Sequence, residues 1–231
     1  MEVLIKLNTQ TAGRDKIARL LQYLSRLLWH RLKQSHCGGV DNLKNLEYQL
    51  STFRKLLRFG RFADSLYTTL PLFQHHNTTI KLTVILSKIA NALFLFADHI
   101  LWMGRSDVMS VNTDKWAKIS NKYWLYSITM NLVRDFYEIR MILKHNQSKI
   151  YTDRVCSVQE CLTVCKRAFD CVQHDKAVMI DTVKNVCDFF IPLNALGHVK
   201  LSPGTVGLLG VISSIAGLIV LMEPHKKLSP Q

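Results

Sequence analysis

Leu201–Met222 is 22 residues long and contains no Asp, Glu, Lys or Arg. A helix needs roughly 20 predominantly apolar residues to cross the hydrocarbon of a bilayer. Inside lipid the backbone must satisfy its own hydrogen bonds, so such a segment is a helix or nothing. His198 and Lys200 precede it, and Glu223, His225, Lys226 and Lys227 follow it, which places charge at both interfaces. The segment is predicted to be a transmembrane helix. Its small residues, Gly207, Gly210, Ser214 and Gly217 with Gly204 and Ser213, include two small-xxx-small pairs, Gly210/Ser214 and Ser213/Gly217. They fit either a helix-packing seam in the membrane or a span that merely tolerates glycine.

A second apolar stretch, Ile80–Met103, is interrupted by Lys81, Lys88 and Asp98. It is predicted to be a membrane-associated helix, either a full span or a buried helix of a soluble bundle. A carboxylate at position 98 is costly in a span unless it is paired or lies near the interface.

The rest of the chain has helical periodicity. In residues 8–34, Asn8, Thr9 and Thr11 offer capping oxygens, and apolar residues recur at Ile17, Leu20, Leu21, Leu24, Leu27, Leu28 and Leu32. In residues 41–59, Leu43, Leu46, Leu50, Phe53 and Leu57 form a single stripe, with Arg54, Lys55, Arg58 and Arg61 on its flank and far side. Gly60 is a terminator or hinge. Residues 64–77 continue as helix to a break near Pro71, residues 114–145 form a third amphipathic helix with Asp114 as its cap, and residues 154–190 are helical again. The fold class is therefore all-α: amphipathic helices, one C-terminal transmembrane helix and a second membrane-associated helix. Its segments are 1–79, 80–103, 104–200, 201–222 and 223–231.

Net charge is +13, from 30 Lys and Arg against 17 Asp and Glu. Such an excess asks for an anionic partner. No nucleic-acid motif is present, and basic residues beside an apolar stripe suit an anionic phospholipid surface better. The stripe and its cations, Leu46, Leu50, Phe53, Arg54, Lys55, Leu57, Arg58 and Arg61, are the predicted membrane-binding set. The alternative is that the stripe packs on the first helix.

Catalytic patterns are missing from the sequence: there is no Gly-rich phosphate loop, no nucleophile elbow and no H-E-x-x-H pair. The cysteines at 156, 161, 165 and 171 lack zinc-knuckle spacing. Asp135 and Glu138, beside Arg134 and Arg140, are expected to make ordinary ion pairs on a helix surface. The expectation is no enzyme, no cofactor and no metal.

Several segments, in order, resemble the peroxin-eleven family: Asn8–Lys16 with Gln22 and Tyr23, Phe53–Gly60, Lys115–Ala117, Asn131–Arg140, Asp181–Asn185 with Cys187 and Asp188, Ile191–Leu193 with Leu196 and Gly197, and Pro203–Ile215. They cover nearly the whole chain and are closer to the animal alpha/beta branch than to the gamma branch; residues 146–176 match no family segment. The resemblance implies a peroxisomal membrane protein with both ends in the cytosol and a membrane-active helix over Leu43–Phe62. That helix enters one leaflet, tubulates the membrane and promotes fission and proliferation of the organelle. It also implies self-association, work with a fission adaptor and a dynamin-related GTPase, and import by peroxin nineteen. A metabolite channel and an adaptor that stimulates the GTPase are the competing readings.

Overall fold

The computed structural model describes residues 9–35, 39–74, 77–146 and 175–223. Among these the chain is helical: α1 Thr11–Gln34, α2 Val40–Leu57, α3 Arg61–Tyr67, a 3-10 turn Leu70–Gln74, α4 Thr78–Arg105, α5 Thr113–His145, α6 Lys176–Ala195 and α7 Pro203–Met222. The cysteine run at 156–171 lies outside the described residues, as do His75 and His76.

Local chemistry sets the ends. Asn77 caps α4 by accepting the Thr79 N–H, and Ser202 caps α7 by accepting the Thr205 N–H, with Pro203 at the first helical position. Asn112, not Asp114, caps α5, accepting the Lys115 N–H. Asp114 instead sits in the first turn, where a negative charge meets the positive end of the helix dipole. α1 has no side-chain cap; Gln10 occupies its N-cap position. Gly60, at φ 77°, takes the left-handed conformation that separates α2 from α3.

Short connections make α4/α5 and α6/α7 antiparallel hairpins. Helix neighbours run α2, α1, α7, α6, α5, α4 and return to α2, with α3 laid against α4. α1 runs antiparallel to α7 along its small face. A Cβ on Gly204 would lie 2.5 Å from the His30 ring, and one on Gly207 would lie 2.9 Å from the Leu27 backbone nitrogen. A Cβ on Gly210 would collide with the Tyr23 ring, and one on Gly217 would approach the end of Lys16 at 3.0 Å. The small residues of α7 are therefore occupied by α1 of the same chain, and Ser214 turns its hydroxyl back to the Gly210 carbonyl at 2.6 Å.

Compared with a soluble bundle, long apolar stripes lie on the outside and many polar side chains lie inside, beside an apolar core that includes Tyr23, Val84, Leu95, Ile128, Ile191 and Val206. Leu82, Leu86, Ile89, Leu93 and Phe96 form an outward stripe along α4, and Leu208, Ile212 and Ile215 another along α7. The interior holds Asp15, Arg19, Arg54, Asp98, Asp135, Asn185, Ser213 and Ser214. In water such apolar stripes would be an aggregation liability; against lipid they cost nothing. α4 and α7 are the two described helices long and apolar enough to cross a membrane.

Candidate functional site

α2 divides into two faces. Leu46 and Phe53, each 47% exposed, open outward together with Tyr48 and Leu56, while Leu43, Leu50 and Leu57 are half-buried. The face at the back of that stripe carries Arg54, Lys55 and Arg58 into the interior, where their side chains are only 11–12% exposed. They meet two carboxylates. Asp15, on α1, accepts from Arg54 Nε at 3.1 Å and lies 3.6 Å from Arg58 Nε. Asp98, on α4, accepts from Lys55 Nζ at 2.9 Å and lies 3.1 Å from Arg58 Nη2. Gln22 accepts from Arg54 Nη1 at 2.7 Å, and Ser120 donates to Asp98 at 3.2 Å.

The membrane-binding set thus splits. Leu46 and Phe53 are exposed, and Leu50 and Leu57 partly so. Arg54, Lys55 and Arg58 are turned inward, against Asp15 and Asp98. The reason is geometric: once the stripe faces outward, the residues opposite it at about 100° per residue must face the bundle. Arg61, at the start of α3, lines the interior cavity. α2 leans on α1 through polar contacts more than through its stripe, since Glu47 accepts from Arg26 and from the Trp29 indole, both at 2.7 Å.

These contacts border a partly open cavity of about 420 Å³ between α1, α2, α4 and α5, with Arg61 of α3, Ile191 and Asn194 of α6 and Val206 of α7 adding to its lining. Arg19 reaches it from α1 and is paired with Asp188 of α6. Burial alone would raise the Asp15 carboxyl, but Arg58 and Arg54 hold it below its usual range. Burial, with Arg58 beside it, lowers Arg54 to about 10. Burial, reinforced by Arg19 and Lys184, pushes the Lys16 ammonium down to about 7.

A second polar cluster joins α5 to α6. Asp135, 1% exposed, accepts from Arg134 at 2.8 Å and from Asn185 at 2.6 Å. Arg134 and Lys184 both bind Asp181, and Arg134 lies 3.8 Å from Glu138. Asp135 and Glu138 are therefore not a helix-surface pair: the Asp135 carboxylate is an interior strut between two helices. Burial, then Asp181, raises Asp135; burial raises Glu138 to about 7, with Asp135 and Asp181 adding to it against Arg134.

Periodicity missed Asp15, Gln22, Arg19 and Asp188, because it assigns polar residues of an amphipathic helix to solvent. The signal that reached Asp15, Gln22 and Asp188 was the resemblance; Arg19 lies outside its segments. The segments Asn8–Lys16, Asn131–Arg140, Asp181–Asn185 and Cys187/Asp188 supply much of both interior networks. Among the described residues no group of three or more His, Cys, Asp or Glu side chains is placed to hold a metal ion.

The chain is 30% identical to Peroxisomal membrane protein 11B of Bos taurus over 259 residues, covering all of both chains. It is 32% identical to Peroxisomal membrane protein 11A of Homo sapiens over 248 residues, covering 99% of each. A Dictyostelium discoideum homolog of Peroxisomal membrane protein 11 is 25% identical over 234 residues, 94% of this chain and 92% of the homolog. No solved structure matches. The family model for Peroxisomal biogenesis factor 11 (PEX11) matches residues 1–222, and the chain, with outward apolar stripes on its two long apolar helices, belongs to that family of peroxisomal membrane proteins.

Proposed function

We propose that this protein elongates and tubulates the peroxisomal membrane and so promotes fission and proliferation of the organelle, without catalysing a reaction. The observation that carries the reading is the outward apolar face of α2, Leu46 and Phe53 with Tyr48 and Leu56 beside them, left open by the rest of the bundle. A helix that seats such a face at the headgroup boundary adds area to one leaflet, and the asymmetry favours positive curvature. The interior cations hold α2 at a fixed angle to α1 and α4, so the wedge is rigid. The net charge of +13 favours an anionic surface. Self-association, a fission adaptor, a dynamin-related GTPase and the import receptor peroxin nineteen complete the proposal, with both termini in the cytosol.

The test is reconstitution of the full chain in anionic vesicles viewed by electron microscopy. The parent protein is expected to draw tubules, and the double variant L46Q/F53Q to insert, keep its helicity and leave vesicles round. Tubules of undiminished number from the variant would refute the wedge. A second reading, a channel for small metabolites, draws on the polar cavity; steady conductance in planar bilayers that survives L46Q/F53Q would favour it.

A further inference from the structure

The interior cavity carries more positive charge than its surroundings neutralise. Eight Lys and Arg side chains line it against two carboxylates, Asp15 and Asp98. Asp188 and Glu47 engage Arg19 and Arg26 from outside the lining. Among the described residues the eight cations exceed these four carboxylates, and Lys16, Arg61 and Arg105 pair with none of them. Arg19 is 7% exposed and its Nε has no hydrogen-bond partner. Lys16 and Arg61 line the same space, and no described carboxylate pairs with either. Lys16, Arg61 and Arg105 are half-buried beside the buried Arg19 and Arg54, and a crowd of like charges withdrawn from water is costly until a ligand of opposite sign joins it.

We infer that this cavity is a binding site for an anion with clustered phosphoryl groups, of the size of a lipid headgroup or a short polyphosphate. Six of the eight cations are arginines, whose planar forks match phosphate oxygens two at a time. The volume, about 420 Å³, admits a small polyanion and excludes a nucleic-acid strand. Its walls come from different helices: Lys16 and Arg19 from α1, Arg54 and Arg58 from α2, Arg61 from α3 and Arg105 from α4. A bound phosphate cluster therefore ties α2 and α3 to α1 and α4, adding to the links that Asp15 and Asp98 already make. Lys16, which burial and then Arg19 bring to about 7, is held charged by such an anion. The inference stands apart from membrane bending, since binding is read without tubules.

The test uses the full chain in nanodiscs. Calorimetry follows binding of soluble tripolyphosphate to protein in phosphatidylcholine discs. A parallel arm measures thermal stabilisation in discs that contain phosphatidylinositol bisphosphate, against discs of equal charge made with phosphatidylserine. Lys16→Gln and Arg61→Gln are the informative variants, because neither orphans a carboxylate. Each is expected to keep the parent's ligand-free helicity and to weaken binding by about fivefold or more, as expected from the loss of one charge contact; Lys44→Gln on the outer face is expected to match the parent. Saturable tripolyphosphate binding identifies a soluble source, and stabilisation by the bisphosphate lipid alone identifies a headgroup. The inference is overturned if neither probe binds, if K16Q and R61Q bind as the parent does, or if phosphatidylserine stabilises equally.

Discussion

The two interior polar clusters are built from the same residue types and behave oppositely. Around Asp15 and Asp98 cations outnumber carboxylates, and the Asp15 carboxyl is held low. Around Arg134 three carboxylates, Asp135, Asp181 and Glu138, share Arg134 and Lys184, and Glu138 is held near 7. The first cluster has a cavity at its centre, whereas the second is closed by direct contacts between α5 and α6. The difference teaches that burying charge serves two ends here. Between α5 and α6 it fixes the packing of one helix pair. Beneath α2 it leaves an attraction unspent.

The largest expected effect is at Asp15. Asp15→Ala strips Arg54 and Arg58 of a shared partner, and breaking a buried pair from one side costs about 3–5 kcal/mol. Chemical unfolding in detergent should show that loss, and a variant as stable as the parent would break the claim that this cluster holds α2. Gly210→Leu comes next. Its side chain must displace the Tyr23 ring, and overpacking of this kind costs about 1–3 kcal/mol. Leu208→Ala on the lipid-facing side of the same helix should cost less, and equal losses would contradict the α1–α7 seam.

Smaller effects sharpen the contrast through pH. The Glu138 pKa rises on folding from 4.5 to about 7, so its stabilising contribution is full below 4.5 and is lost as pH rises through 7. Glu138→Gln should flatten that part of the melting profile. Asp15 has the opposite sign: its contribution is present above 3.8 and lost as pH falls below that value. The smallest effect is that of Lys44→Gln, whose surface pair with Asp41 is expected to contribute less than about 0.5 kcal/mol in the same melt.

Much of this architecture was legible in the sequence. The uninterrupted apolar run placed α7, periodicity placed α1, α2 and α5, and the demand that Asp98 be paired was met by Lys55 and Arg58. Which face of a helix turns inward was not legible. Periodicity finds a stripe but is blind to the solvent on the other side; in lipid the stripe turns outward and the charges turn in. Arg54, Lys55 and Arg58 were for that reason expected at a headgroup surface and lie in the interior. The partners Asp15 and Asp188 are 39 residues from Arg54 and 169 from Arg19, separations that no local pattern spans.

The orientation of α2 is the claim on which the rest depends, and spin labels in proteoliposomes measure it directly. Labels at positions 46 and 53, outward on α2, and at position 51, on the cavity side, would be introduced one at a time into a cysteine-free chain. Relaxation by oxygen, which concentrates in lipid, and by a water-soluble nickel complex reports the surroundings of each. The orientation described here requires strong oxygen relaxation at 46 and 53 and weak relaxation at 51. Oxygen relaxation at 51 with protection at 46 and 53 would mean that the charged face of α2 turns to the membrane and the apolar stripe to the bundle, and the outward stripe would be contradicted.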